Sequence, residues 1–350
     1  GWEPIGNSTG GDRYQGSIQG NDKNISDLYI YRPGLPSVGL IGYDWDSTGG
    51  LGIVANLSLV DANVTGYSDV GILAGYLRNC NVVNVSSSGT VNTTYRYGGG
   101  LIGRTYQINV SNSSSSANVD GTNNYHGGLV GGFSDDVLSL SYATGNISGS
   151  GQDMGGRVGY LTSGGVISRS YATGNVTGSN QLLGGLVGYT NNGVINESYA
   201  TGNVTGTNYL GGLSGYFIGN GAKILNSYAS GTIVSSGAYS GGLVGYSYND
   251  VNIEKSYSVV NTSEPNFGGF VGRWLTATPT VNDSFYAGTA LSANYGGVDY
   301  DPSAVGDFFN VYWDNKSGGP VACGPNAYTD CNAVADNEAY FYDSTNAPMS

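Results

Sequence analysis

The sequence predicts an all-β solenoid of about nine to ten stacked coils, with one coil per ~28 residues. Two repeated phrases and a missing periodicity carry that prediction. The first phrase is a Gly-Gly-apolar-apolar-Gly block. It starts at Gly99, Gly127, Gly155, Gly184, Gly211, Gly241 and Gly268, in steps of 28, 28, 29, 27, 30 and 27. The second phrase, Ser-Tyr-Ala in its clearest copies, starts at Ser141, Ser170, Ser198, Ser227, Ser256 and Ser284 and keeps the same step. No stretch places apolar residues at 3.6-residue spacing over three turns, so helices are not expected.

Within one unit, "GVINESYA" and "GNVTG" read as short strands divided by Gly, Asn and Asp. A propeller blade needs ~40 residues or more, which excludes that repeat class. Side-chain direction follows from the columns. Ile167, Ile195, Ile224, Ile253 and Val281 stand three residues before each Ser and read as interior. The Ser column is always small and reads as a tight interior position, as does Ala143, Ala172, Ala200 and Ala229. Tyr142, Tyr171, Tyr199, Tyr228 and Tyr257 fall between Ser and Ala, so strand alternation puts them outside as a ladder and a candidate binding surface. The Ile and Ser columns differ by an odd step, which requires a bend or bulge between them. Leu129, Leu186, Leu213 and Leu243 form another interior column.

Three segments follow. Residues 1–37 are expected to form a divergent first coil and cap, 38–297 the repeats, and 298–350 a C-terminal cap that breaks the period. "VGLIGY" at 38–43 and "GILAGY" at 71–76 are earlier, weaker copies of the block, and "YGGVDY" at 295–300 a decayed last one. A solenoid leaves open strand edges at both ends, which invites end-to-end self-association unless they are capped.

The net charge of −13 argues against nucleic acid or an anionic membrane as partner. No apolar run reaches the length of a membrane helix, so no membrane insertion is expected from these residues. The chain is expected to be a mature form whose export signal has been removed. In an oxidising compartment Cys323 and Cys331, eight apart in "CGPNAYTDC", are expected to pair, leaving Cys80 free.

The phrases "GGLVGY…VINESYATGNVTG", the opening "GWEPIG" and "VYWDNKSG" at 311–318 resemble the GLUG-motif repeats of secreted and adhesin-like surface proteins of bacteria and archaea. The resemblance covers roughly residues 1–320. It implies a right-handed parallel β-helix, an extracellular or cell-surface location, and no enzymatic activity. The expected role is structural or adhesive, with a head-to-tail filament as its most specific version and cell-surface glycans as further partners. The alternatives are a secreted polysaccharide-degrading enzyme on the same fold, or a monomeric sugar-binding adhesin.

Fifteen Asn-X-Ser/Thr sequons mark candidate N-glycosylation sites. Asn63, Asn146, Asn175, Asn203 and Asn261 occupy the "GNVTG" position. Asn56, Asn84, Asn112, Asn196 and Asn282 stand just before the Ser phrase. Asn7, Asn24, Asn92, Asn109 and Asn315 lie elsewhere. The competing explanation is that Asn and Thr suit turns and ladders.

Candidates for chemistry are few. His126 is the sole histidine and sits in a column taken by Leu183, Leu210 and Ser240 in other coils, a poor place for a general base. Asp44, Asp46, Asp135, Asp136 and Asp250 follow the glycine-block strand but not in adjacent coils, so they read as solvated turn residues rather than a glycosidase pair. Asp299, Asp301 and Asp307 form the densest acid cluster and are the one candidate for a structural Ca²⁺ site. No other cofactor is implied.

Overall fold

In a computed structural model of the chain, residues 1–7, 12–44, 52–249, 251–264, 266–275, 280–289, 299–302, 307–314 and 331–334 are described. Among these residues there is no helix, and the strands pair in parallel from coil to coil. Each coil contributes one strand to a ten-strand sheet that runs from Ile41–Tyr43 through Val130–Ser134 to Asp299–Pro302. The other 32 strands form a second continuous sheet that bends around the rest of the coil. The chain is a β-solenoid of about nine turns with ~28 residues per turn. Stacking runs beyond residue 297, because Asp307–Asp314 pairs with Thr280–Tyr286 and Cys331–Val334 pairs with Asp307–Asp314.

The expected bend between the Ile and Ser columns is a residue in the left-handed region. Leu140, Arg169, Glu197, Asn226, Lys255 and Asp283 each precede the phrase serine, with φ between 47° and 49° except for Arg169 at 45°. Two further left-handed positions recur in the coils. One follows the ten-strand sheet (Gln107, Asp135, Ser163, Asn192) and one precedes the glycine block (Tyr97, Tyr125, Asp153, Leu182). Three corners of this kind turn each coil back on itself.

The corner explains the serine. Before it, the backbone donates to the following coil (Leu140 N–H to Ser168 O, 3.2 Å); after it, to the preceding coil (Tyr142 N–H to Ser113 O, 3.1 Å). The N–H at the switch, Ser141, goes instead to the Ser170 hydroxyl of the next coil (3.4 Å). Ser198 N–H donates likewise to Ser227 Oγ (3.1 Å) and Ser227 N–H to Ser256 Oγ (3.2 Å). Each hydroxyl then donates across its own corner, as Ser227 Oγ does to Leu225 O (2.6 Å). A hydroxyl that accepts and donates at one buried point is what Ser supplies and Ala cannot.

The two phrases keep one step because they touch across the core. A Cβ on Gly128, Gly156, Gly185 or Gly212 would lie 2.9, 3.1, 3.0 or 2.6 Å from the Cβ of Ala143, Ala172, Ala200 or Ala229. The second glycine of the block and the alanine of the Ser-Tyr-Ala phrase pinch the interior from opposite walls. The interior Ile, Ser, Ala and Leu columns are all buried. One member of the leucine column departs from type: Arg157 stands between Leu129 and Leu186 and is wholly buried, and its three guanidinium nitrogens have no hydrogen-bond partner.

Candidate functional site

The outer surface is built from ladders of like side chains. Tyr142, Tyr171, Tyr199, Tyr228 and Tyr257 pair directly in register, and Phe285 continues the column. Successive ring centroids are 4.8–4.9 Å apart and the planes lie within 9° of parallel. That separation is the strand spacing itself, so the stack is imposed by coil geometry. The rings are half-buried, with Tyr142 the most open at 39% exposed. Burial raises the pKa of Tyr171, Tyr199 and Tyr228.

Below Tyr142 the same column continues as Ser114 and Ser86, and Ser58 follows in register. Loss of the rings opens a trough of about 340 Å³, floored by these serines and edged by Asp22, Asn56, Asn84 and Asn112, with Tyr142 as its end wall. The asparagines form an amide ladder: Asn84 Nδ2 donates to Asn56 Oδ1 (2.8 Å) and Asn112 Nδ2 to Asn84 Oδ1 (3.4 Å). Hydroxyls and amides beside an aromatic face are the groups that hold a sugar.

A second stripe escaped the sequence reading. The residue after each glycine block forms a register column on the ten-strand sheet: Tyr43, Tyr76, Arg104, Gly132, Tyr160, Tyr189, Tyr216, Tyr246 and Arg273. Its tyrosines from Tyr160 to Tyr246 lie ring on ring at 4.9–5.1 Å, tilted by 41° and 39° in the first two pairs and near parallel at 17° in the last. Its signal in the sequence is the Tyr that closes "GLIGY", "LAGY" and "GLVGY", which Arg104, Gly132 and Arg273 interrupt.

The sequon columns also ladder. In the "GNVTG" position, Asn146 Oδ1 accepts from Asn175 N–H (3.0 Å) and Asn175 Oδ1 from Asn203 N–H (2.9 Å). Asn63, Asn146, Asn175, Asn203 and Asn261 are exposed, as are Asn7, Asn24, Asn84, Asn109 and Asn112. Asn56, Asn92, Asn196 and Asn282 are half-buried, and Asn315 lies outside the described residues.

The other candidates are placed as follows. His126 is wholly buried and its Nδ1 accepts from Gly98 N–H (3.2 Å); burial lowers its pKa to about 4, so the ring is neutral at physiological pH. Asp135 is exposed, but Asp136 is not the solvated turn residue expected from sequence. It is buried and accepts from Thr105 Oγ1 (2.5 Å), Ile108 N–H (2.5 Å) and Ser134 N–H (3.0 Å), because the turn brings three donors to one carboxylate. Asp44 is also buried. It lies three coils from Asp136, ~14 Å at strand spacing, beyond the ~5–10 Å that a glycosidase pair requires. Asp46 and Asp250 lie outside the described residues. Asp299 and Asp301 belong to the ten-strand sheet, whereas Asp307 begins a strand of the other sheet and is exposed. Cys323 lies outside the described residues, Cys331 is in register with Val311, and Cys80 is a buried free thiol. Burial pushes the Cys80 pKa up to about 12, which makes it a poor nucleophile.

The family model of the GLUG motif matches residues 179–205, one full unit. A stretch of 86 residues, 25% of the chain, is 42% identical to halomucin of Haloquadratum walsbyi and spans 1% of that protein. Among solved structures, the endo-xylogalacturonan hydrolase of Aspergillus tubingensis aligns over 90% of this chain and 92% of its own, at 11% identity and a TM-score of 0.27. That likeness is too loose to inform function.

Proposed function

The chain is a GLUG-motif repeat β-solenoid, and from that premise we propose that it is a non-enzymatic structural or adhesive module of the cell surface. The observation that carries the reading is the outer surface: its side chains repeat as ladders over several successive coils, so like groups are presented in rows along the stack. Such a surface suits contact with other extended chains, and its stacked amides and rings suit glycans. The match to halomucin supports a surface or extracellular place for this segment.

In this proposal the exposed sequons carry glycans, Cys323 and Cys331 close a loop, and copies stack head to tail through their open ends. Stacked sequons limit occupancy. Asn146, Asn175 and Asn203 lie one coil apart, ~4.8 Å at strand spacing. A sugar ring is wider than that, so neighbouring coils compete. Labelling of intact native cells with an antibody to the chain, with and without protease treatment, tests the location. Negative-stain microscopy of the purified protein tests the filament. Surface signal lost on shaving and rods longer than one subunit are expected; signal confined to lysed cells overturns the reading.

A further inference from the structure

The second tyrosine stripe has a gap, and the gap is lined by a cation. Gly132 occupies the column position that holds Tyr in the next four coils. Ser134, two residues on, is also small. The missing ring leaves a notch of about 170 Å³, walled by Arg104 and Tyr106 on one side and Tyr160 and Thr162 on the other. The aromatic stack detours around it. Tyr97 lies against Gly132, where a Cβ would sit 2.6 Å from its ring, and Tyr97 stacks on Tyr125, which meets Tyr160 at 4.8 Å.

Arg104 is held in place before any ligand arrives. Its guanidinium lies 4.4 Å from the Tyr76 ring centroid and 5.1 Å from that of Tyr97, and its Nε is 3.0 Å from Asp69 Oδ1. The side chain still keeps 38% of its surface exposed. On the adjacent strand Arg78 lies 4.7 Å from the Tyr106 ring, so two cations and two rings alternate on these two paired strands, of which Arg104 and both rings line the notch. The chain has only 12 basic residues against 25 acidic ones, so two cations on neighbouring strands make a local exception. Asp135 borders the same turn and is engaged by Gln107 Nε2 (3.2 Å), and Asp136 is buried under its three donors.

We propose that this notch binds an acidic sugar residue within a glycan chain: its carboxylate meets Arg104 and its ring sits between Tyr106 and Tyr160, which wall the notch. Guanidinium–carboxylate pairing supplies the charge selectivity. The aromatic walls supply the sugar selectivity, and a notch of this size takes one ring at a time. The proposal rests on the surface reading only for its biological setting; the site itself is defined on the isolated protein.

Calorimetric titration of the purified chain with a mannuronate hexasaccharide, its carboxyl-reduced neutral counterpart and a polyglutamate peptide tests it. The uronate is expected to bind at least tenfold more tightly than the neutral sugar, and polyglutamate not measurably. Arg104→Gln is expected to remove the tenfold preference while leaving the weak neutral binding. Tyr160→Ala weakens both sugars, with thermal melts reporting that each variant is folded. Equal binding of polyglutamate, an Arg104→Gln variant with unchanged preference, or no binding of the uronate by the wild type overturns the proposal. Each result stands whatever cell labelling shows, so failure of the notch and failure of the surface reading are told apart.

Discussion

At the scale of single residues, Arg157 and Asp153 are core polar groups that burial disfavours. Arg157 occupies a leucine position with no acceptor for its guanidinium, and burial lowers its pKa to about 9. A buried, unpaired cation costs several kcal/mol. Arg157→Leu, which restores the column residue, is therefore expected to raise stability by about 1–4 kcal/mol in chemical denaturation. Equal or lower stability would mean that the guanidinium is satisfied inside the coil. Asp153 is the second group: it is buried, and its Oδ1 has no partner. Burial raises its pKa to about 7 from the ordinary 3.8. Between those values the folded state holds a proton that the unfolded state has released. Stability contributed by the neutral carboxyl is therefore complete below about pH 4 and lost as pH rises through about 7. Melting at a series of pH values should show this decline, and Asp153→Asn should flatten its share of it.

At the scale of one coil, the left-handed corner and its serine act as a pair. Ser227→Ala removes the acceptor of Ser198 N–H and the donor to Leu225 O, and should cost about 1–3 kcal/mol. Arg169→Asn should do the reverse. Arg169 has φ 45°, a conformation that disfavours most side chains but that Asn tolerates, and Asn226 and Asn112 already hold the same position. A gain of roughly 0.5–1 kcal/mol is expected, read as a higher melting temperature. These corners show what the sequence could and could not reveal. The odd step between Ile167 and Ser170 announced a bend, because strand alternation cannot place both inside without one. Its chemistry stayed hidden, because Leu140, Arg169, Glu197 and Lys255 carry no turn signal of their own. The stacked coils impose the conformation on them. The first tyrosine ladder was legible because Ser and Ala flank it as small interior residues. The notch was not, because Tyr97 reaches it from a corner in another part of the coil.

At the scale of the molecule, stability is a sum over coils and the contacts between neighbours. Identical register makes this testable. Residues 171–198 form one complete period from one tyrosine to the residue before the next, and Tyr171 pairs with Tyr199. Their deletion joins Ser170 to Tyr199 and recreates the native sequence around the junction. Tyr142 then faces Tyr199, Ala143 faces Ala200, and the pinch between the second block glycine and the alanine is kept, since Gly156 meets Ala200 as Gly185 did. Most native contacts are replaced by equivalent ones, so the shortened chain should fold with the same strand content per residue. Its denaturant slope should fall in proportion to the surface lost, about one coil in nine or ten. A deletion of fourteen residues, 171–184, removes one corner of the three and joins Ser170 to Gly185, which sets a glycine-block residue opposite Tyr142 and breaks the register of the columns. It should leave a chain that melts without a cooperative transition. If both deletions behaved alike, the coil would not be the unit of folding, and the ladders on its surface would owe their order to something other than stacking in register.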